Sequence, residues 1–330
     1  MGRGKHITKE ERDKISVLQS SGMKQAEIAK EIGRSKSAIS KELGKSTSVF
    51  YRGKYIGSQS HRNVQKSWKE SHKRRRMDNP EIQEYVIEKI KLGWTPEQVA
   101  GRMFQDIGKK VSHETIYMWI YRERPDLTEY LPRKQAGRKK RNYVNKSRKV
   151  HIPNRTDIDK RPKEADQRKI FGHFEADTIV SKKSLAALLV TADRASRKTR
   201  IKKLTRKTAE QASNAIIFAL KNYNTINLST ITYDNGSEFC YHEKVNQELG
   251  TKSYFCKPYH SWEKGMVENI NGLIRRFFPK GTDFDTITDA QIQYVEDWIN
   301  NRPMKCLGFK TPNEKYNELI KKSQSVSIAS

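Results

Sequence analysis

Short runs typical of β-strands follow one another from about residue 171, and this pattern restricts the second half of the chain to a sheet-containing fold. The runs are residues 172–180, 185–191, 198–204 and 229–234. Between the third and fourth runs, residues 208–223 carry apolar side chains at helical spacing, which predicts a helix. Three strands, a helix, another strand and further helices predict an α/β layer with a mixed sheet.

The first 50 residues have a different pattern, in which short helices alternate with turns. Residues 8–11, Thr-Lys-Glu-Glu, are typical of a capping box at the start of a helix. A second helix is predicted over residues 25–33, and Ser35 is predicted to cap a third over residues 36–43. This arrangement predicts a helix-turn-helix, although a plain helical hairpin has the same pattern. The small and basic side chains expected to face DNA are Ser35, Lys36, Ser37, Ser40 and Lys41.

A related pattern recurs between residues 80 and 122. Residues 93–100 align with residues 22–29, and residues 111–117 parallel residues 34–40. Thr95 and Gln98 are typical of a capping box at the start of a helix. The repeat predicts a second helix-turn-helix whose DNA-facing side chains are Ser112, His113 and Thr115. The last helix also carries Tyr117, Trp119 and Tyr121, so it is expected to pack or dimerise as much as to contact bases.

The chain carries a formal net charge of +28, which indicates a polyanionic partner such as double-stranded DNA. Residues 1–150 contribute +19 of this charge and residues 151–330 contribute +9, so the front half is predicted to grip DNA. Basic runs lie at residues 73–76 and 138–141, in predicted linkers that follow phosphates without fixed geometry. The predicted organisation is residues 1–50 and 80–132 for the helix-turn-helix domains, 51–79 and 133–165 for the basic linkers, and 166–330 for the catalytic domain.

Three scattered cysteines, Cys240, Cys256 and Cys306, show no pairing motif and fit a reduced intracellular protein better than a disulfide scaffold or a zinc site. The longest apolar stretch, residues 185–192, is too short to cross a bilayer. We therefore expect a cytoplasmic, nucleoid-associated protein with no membrane partner.

Three acidic residues stand where metal-dependent chemistry could use them. Asp177 lies in an otherwise apolar strand, and Asp234 ends a later strand just before an Asn-Gly turn. Glu268 lies on a predicted helix, where Asn271 and Arg275 share its face at spacings of three and seven residues. Each acid alone is as well explained as a turn or surface residue, but together they predict a carboxylate site for divalent ions. Period-two alternation also places Glu175 on the strand face of Asp177.

With these motifs in view, the chain resembles the insertion sequence 30 family of bacterial transposases over nearly its whole length. The resemblance is carried by GHFEAD at 172–177, YDNGSEF at 233–239, YFCKP at 254–258, KGMVEN at 264–269, FPKGTDF at 278–284, NNRP at 300–303 and KTP at 310–312, with GWTPEQ at 93–98 and VSHETIY at 111–117. It implies a ribonuclease-H-like core with a D-D-E triad at Asp177, Asp234 and Glu268, the last two separated by 33 residues. Phe174 and Ala176 depart from the family's usual Trp and Gly.

The resemblance implies a DNA transposase that binds the terminal inverted repeats of its element, cuts the DNA with two Mg²⁺ or Mn²⁺ ions, and joins the freed 3′-OH to target DNA. A homo-oligomer on DNA is expected. The core residues expected to contact DNA or phosphate are His173, Asn235, Lys257, Asn271 and Arg275. Two alternatives remain at this point: a non-catalytic DNA-binding repressor of the element, and a metal nuclease acting on RNA in hybrids.

Overall fold

The computed structural model describes residues 6–44, 55–72, 76–131, 151–223, 228–258 and 260–329. The chain divides into two compact units, Met1–Asn79 and Pro80–Ser330. In the described residues, no helix is both long enough and apolar enough to cross a membrane. The basic runs were predicted at residues 73–76 and 138–141. Only Arg76 of these residues lies within the part of the chain that the structure describes.

The first unit contains the predicted helix-turn-helix. Its helices are α1 (Lys9–Ser20), α2 (Gln25–Ile32), α3 (Lys36–Gly44) and α4 (Gly57–His72). The capping box at Thr8 and Glu11 is confirmed, and Ser35 Oγ accepts from Ala38 N at 3.2 Å at the start of α3. Ile15, Ile28 and Ile39 are fully buried between the helices, as their helical spacing requires.

Helix α4 lies within the segment 51–79 that the sequence suggested was a linker, and the structure differs from that prediction because α4 packs against α1. The carboxylate of Glu42 accounts for this packing. It accepts from Arg12 Nε at 2.6 Å, from Ser60 Oγ at 2.7 Å and from the Tyr55 hydroxyl at 3.3 Å. Arg12 and Glu42 are buried, so a charged pair in the interior ties the helix-turn-helix to the segment that follows it.

The second helix-turn-helix consists of α5 (Pro80–Lys91), α6 (Pro96–Ile107) and α7 (His113–Glu123). The capping box of Thr95 and Gln98 is confirmed at the start of α6, and Ser112 caps α7. Trp119 is buried, whereas Tyr121 is exposed and stacks on Tyr117 with ring centroids 6.1 Å apart. The aromatic side chains of α7 therefore divide between the interior and the surface.

This second segment packs on the C-terminal part of the chain. Its contacts are Gln98 Nε2 to Pro303 O at 2.6 Å, Trp298 Nε1 to Leu92 O at 2.7 Å, Arg302 Nη1 to Gly93 O at 2.5 Å, Lys305 Nζ to Glu97 Oε1 at 2.6 Å, and two bonds of 2.6 Å from Arg102 to Glu314. The Trp298 ring lies 3.1 Å from the position that a Cβ on Gly93 would take. The second helix-turn-helix thus completes its packing against residues 298–314.

The core is a five-stranded mixed sheet in the order β3-β2-β1-β4-β5. Its strands are β1 (His173–Val180), β2 (Ala187–Asp193), β3 (Thr199–Leu204), β4 (Thr230–Tyr233) and β5 (Lys252–Phe255). The first three strands are antiparallel, while β4 pairs parallel to both β1 and β5. The mixed sheet and the first four strands match the prediction, whereas the four-residue β5 was not predicted.

Helices cover both faces of this sheet, and together with the order and directions of its strands they agree with the predicted ribonuclease-H-like core. They are α8 (Lys163–Gln167), α9 (Ala209–Leu220), α10 (His242–Leu249), α11 (Gly265–Phe277), α12 (Asp289–Asn300) and α13 (Pro312–Ala329). Alternating side chains of the strands divide between two apolar clusters. One cluster contains Phe174 and Ala176 of β1 and side chains of α9 and α10. The other contains Ile179 of β1 and side chains of α11 and α12.

The end of the predicted linker 133–165 is part of this core in the structure. Asp157 forms a bridge with Phe255 of β5, and Arg155 Nη2 donates to Cys256 O at 3.1 Å. Ile152 is buried in the first apolar cluster. The polar composition of this segment predicted a linker. Its contacts could not be predicted locally, because the partner residues lie about a hundred positions further along the chain.

Candidate active site

Two carboxylates meet where the parallel neighbours β1 and β4 end. The register pairs Glu175 of β1 with Thr232 of β4. Asp177 and Asp234 each lie two residues further on, so period-two alternation places them level with each other and on the same face of the sheet. The prediction that these two acids come together therefore follows from the strand register.

The ammonium of Lys264 lies between the two carboxylates. Lys264 Nζ donates to Asp177 Oδ1 at 3.0 Å and to Ala176 O at 3.2 Å, and it lies 3.3 Å from Asp234 Oδ2. The side chain is only 6% exposed. Lys264 was not among the predicted site residues; its membership of the KGMVEN motif was the only signal for it.

Burial and the neighbouring charges shift the pKa values of both Asp177 and Lys264. Burial raises the pKa of the Asp177 carboxyl; the Lys264 ammonium opposes this shift and the nearby Asp234 adds to it. Burial alone would lower the pKa of Lys264, but the negative charges of Asp177 and Asp234 raise it overall. Two acids thus share one cation, and the ammonium stays charged.

Helix α11 brings an amide to the same carboxylate. Asn271 Nδ2 donates to Asp177 Oδ2 at 2.6 Å, while the buried Asn271 Oδ1 has no hydrogen-bond partner in the described part of the chain. Glu268 lies one turn before Asn271 on α11 and is exposed. Among the described residues, no three acidic, histidine or cysteine side chains are close enough to hold an ion together, so Glu268 does not converge with the two aspartates.

Glu175 shares the strand face of Asp177, as predicted, but it is a buried structural group. Its Oε1 pairs with Arg194 Nη1 at 2.5 Å, and its Oε2 accepts from Val267 N at 3.1 Å in the first turn of α11. Arg194 also donates to Ala165 O at 2.8 Å. Glu175 therefore fixes the start of α11, which carries Glu268, against β1.

His173 and Asn235 are engaged with the protein. His173 is buried, and its Nδ1 lies 2.8 Å from Thr230 Oγ1; burial lowers the pKa of its imidazole. It precedes Asp177 by four strand residues, or about 13 Å, so the structure does not bring it to the acids. Asn235 donates to Cys256 O at 2.8 Å and accepts from Arg155 Nε at 2.9 Å, which holds the turn after Asp234.

Arg275 and Lys257 also have partners within the chain. Arg275 Nη2 donates to Val180 O at 2.8 Å, and its guanidinium lies over the Phe284 ring, so it ties the end of α11 to the end of β1. Lys257 Nζ pairs with Asp159 at 2.8 Å. Neither residue contacts Asp177 or Asp234 in the structure, and both stay predicted DNA contacts.

Comparison with known proteins identifies the family of this chain. Residues 167–261 match the family model described as an integrase core domain, and residues 3–45 match one described as a helix-turn-helix domain. The chain is 40% identical, over 99% of its length and 99% of the relative's, to the transposase for insertion sequence element IS4351 of Bacteroides fragilis. It is 34% identical, over 72% of its length and 64% of the relative's, to the transposase InsI for element IS30A of Escherichia coli K12.

The chain belongs to the insertion sequence 30 (IS30) family of transposases. A third relative, the transposase for element IS1086 of Cupriavidus metallidurans, is 32% identical over 66% of this chain and 67% of its own length. The integrase core makes this IS30-family transposase a polynucleotidyl transferase or nuclease, and its helix-turn-helix segment implies DNA binding. The family also implies dependence on divalent metal ions.

The residues of the site fit a divalent cation. Asp177 and Asp234 supply carboxylate oxygens, which hard cations prefer, and Asn271 Oδ1 is a buried oxygen with no partner among the described residues. The Lys264 ammonium already occupies the place of a cation between the two acids. The donor set and the cation at its centre together support an ion site here.

The predicted DNA-facing residues of the transposase lie on two helix surfaces. Those of the first helix-turn-helix, Ser35, Lys36, Ser37, Ser40 and Lys41, are all exposed. In the second, Ser112 and His113 are exposed and Thr115 is half-buried. The Ser35 and Ser112 hydroxyls also accept from backbone N–H groups of α3 and α7, so both residues have a structural role whether or not they touch DNA.

Proposed function

We propose that this IS30-family transposase cuts DNA at the ends of its insertion element and joins the freed 3′-OH to target DNA, using Asp177, Asp234 and Glu268. The observation that carries the proposal is the convergence of Asp177 and Asp234 on one cation in a core matched by the integrase model. A repressor that only binds DNA has no need to hold two carboxylates together at a cost in repulsion.

The chain's own residues would divide the work of the site. Asp177 and Asp234 would hold two divalent ions, Mg²⁺ or Mn²⁺. Glu268, which stands apart from them on α11 in the structure, would be the third acid once ions are bound. When bound, such ions activate the attacking oxygen and stabilise the leaving oxygen of an in-line displacement. Asn271 fixes the orientation of the Asp177 carboxylate by its bond to Oδ2. Glu175 holds the first turn of α11 against β1 and so sets the place from which Glu268 acts.

DNA binding is proposed for the two helix-turn-helix segments, residues 1–50 and 80–132, with the terminal inverted repeats as their target. The exposed Lys36 and Lys41 support phosphate contact by the first, and the +19 charge of residues 1–150 supports it for the front half as a whole. Residues 166–330 would perform the chemistry. We further propose that several copies act on the paired ends, and that the strand freed at one end attacks the other end or the target.

The decisive experiment replaces each acid by its amide: Asp177→Asn, Asp234→Asn and Glu268→Gln. Each variant keeps its shape but loses the charge that holds an ion, so end cleavage with Mg²⁺ should fall below detection while end binding persists. Because the ions act together, double variants should be no worse than single ones. Cleavage of labelled duplex ends and a gel-shift assay give the two readouts.

The control for this series is Glu248→Gln, an exposed acid of α10, which should keep full activity. Glu175→Gln is no control, because it breaks the buried pair with Arg194. Normal cleavage by any of the three variants would exclude that acid from the site. Loss of DNA binding in all three would mean that the acids support the fold, and preferential cutting of an RNA–DNA hybrid would point to a nuclease instead.

A further inference from the structure

Lys264 has a chemical surrounding that the proposed reaction does not account for. The ammonium donates hydrogen bonds to Ala176 O at 3.2 Å and Asp177 Oδ1 at 3.0 Å, and it forms an ion pair with Asp234 Oδ2 at 3.3 Å. The residue stands immediately before α11, so its backbone is fixed by the helix that also carries Glu268. A lysine whose ammonium contacts both proposed ion ligands, Asp177 and Asp234, is a cation bound in that site.

We propose that Lys264 is a resident counter-ion of the transposase, which holds Asp177 and Asp234 together before metal arrives and which a divalent ion must displace. This inference rests on the proposed function, because it concerns the same two carboxylates. It adds a step that precedes the chemistry: the exchange of one cation for another. The exchange would keep the ion affinity of the DNA-free chain low.

Charge makes the two cations mutually exclusive at close range. The two carboxylates carry two negative charges, of which the Lys264 ammonium neutralises one. A divalent ion at the same oxygens would lie within a few ångströms of that buried ammonium, and the like charges would repel. The carboxylate oxygens that Lys264 contacts are also those that Mg²⁺ would bind at about 2.0–2.1 Å.

The chemistry of the lysine side chain gives the ammonium a way to leave. The lysine stem is flexible and its head is a compact charge, so it can swing away without movement of α11. A DNA phosphate brought to the site offers the displaced ammonium a new anion. Phosphate binding and ion binding should therefore favour each other, and by linkage the coupling must be the same in both directions.

The test measures Mn²⁺ binding to the full-length transposase by the loss of the free-ion signal in electron paramagnetic resonance. Lys264→Met, which keeps the apolar stem and removes the charge, should bind Mn²⁺ at least tenfold more tightly than the natural chain in the absence of DNA. Lys244→Met is the matched control: this exposed lysine bonds to Asn214 on the other face of the sheet, and its loss should leave Mn²⁺ affinity unchanged. Equal affinities of the natural chain and Lys264→Met would overturn the inference.

A second measurement needs no variant and covers the case in which Lys264→Met fails to fold. The natural chain is treated with an amine-acylating reagent, and the modification of each lysine is read by mass spectrometry. Lys264 should be protected without metal and should become reactive once Mn²⁺ saturates the site. Continued protection at saturation would show that the ammonium stays in place and that no exchange occurs.

The DNA arm separates this inference from the proposed function. A duplex end should tighten Mn²⁺ binding severalfold for the natural chain. The gain should be much smaller for Lys264→Met, which has no ammonium to displace. If both chains gain equally from DNA while Asp177→Asn still abolishes cleavage, the counter-ion role fails and the active site stands. If Asp177→Asn cleaves normally and leaves Mn²⁺ binding intact, the proposed active site fails and this inference fails with it.

Discussion

The two helix-turn-helix segments of this transposase share a sequence pattern but complete their packing with different parts of the chain. The first packs on α4, inside the unit Met1–Asn79, through the buried carboxylate of Glu42. The second packs on residues 298–314, inside the unit that also contains the sheet. The comparison teaches that one local pattern can yield an element with its own core or an extension of a larger core, depending on partners distant in sequence.

The largest effect is expected from breaking the core of the first segment. Glu42→Ala leaves the buried Arg12 without its carboxylate and removes the acceptor of Ser60, which should cost the first unit about 3–5 kcal/mol. Hydrogen exchange should accelerate in α1 and α3 but not in β1 and β2. Glu31→Ala, an exposed acid of α2, serves as the control. Equal loss of protection in the strands would show that the two units do not unfold separately.

A smaller effect is expected where the second segment meets the core. Arg102→Ala removes two bonds to Glu314, one to Phe309 O and one to Asp106 within α6. Because solvent screens the pair with Glu314, the cost should be about 1–2 kcal/mol. Exchange should rise in α5, α6 and α7 while the central strands stay protected. Arg124→Ala, which breaks a pair with Asp126 and a contact with the Trp119 ring but none with residues 298–314, should not have this effect. An unchanged α6 would show that Arg102 does not hold the second segment to the core.

DNA binding offers a third comparison, at the level of single charges. Lys36→Ala and Lys41→Ala should each reduce the slope of log affinity against log salt by about 0.9, if each lysine neutralises one phosphate. Ser37→Ala, if it faces a base, should leave the slope alone and relax discrimination at one position by roughly 1–3 kcal/mol. Binding assays on element ends and random duplex, at several salt concentrations, give both quantities. Identical losses on both DNAs for all three variants would mean that α3 does not read sequence.

The smallest effects are expected at the two helix caps. Ser35→Ala and Ser112→Ala each remove one cap, at about 1 kcal/mol. The same loss should lower the melting temperature of the smaller first unit by about 4–8 °C and that of the larger second unit by about 2–4 °C. Calorimetry of the full chain resolves the two transitions, and Ser→Asp at either position should restore the cap. Equal shifts would argue against two units of different size.

The parts of the fold that depend on local pattern were predictable from the sequence. The capping boxes at Thr8 and Thr95 and the first four strands were all predicted and are confirmed. The parts that depend on distant partners were not. The four residues of β5 are too few to show a period, and α4 packs through Ser60 and Glu42 rather than through an apolar stripe.

The candidate site divides in the same way. Its two aspartates could be placed because strand alternation and parallel register are regular, as Glu175 and Thr232 show. The side chains that surround them could not be placed. Lys264 contacts Asp177 across 87 positions, and Arg275 uses its guanidinium on Val180 O, 95 positions away. Nothing in the local sequence of either residue indicates such a contact.

The turns of the two helix-turn-helix segments leave their sequences unequal freedom to diverge. Gly22 and Gly93 occupy matching positions and both adopt a left-handed backbone, with φ of +86° and +83°. A side chain at Gly22 would meet nothing within 4 Å, so an asparagine there would cost only backbone strain. A side chain at Gly93 would run into the Trp298 ring at 3.1 Å. During evolution the first segment can therefore accept substitutions at this turn independently of the rest of the chain. The second can change there only together with the part of the catalytic core that it contacts.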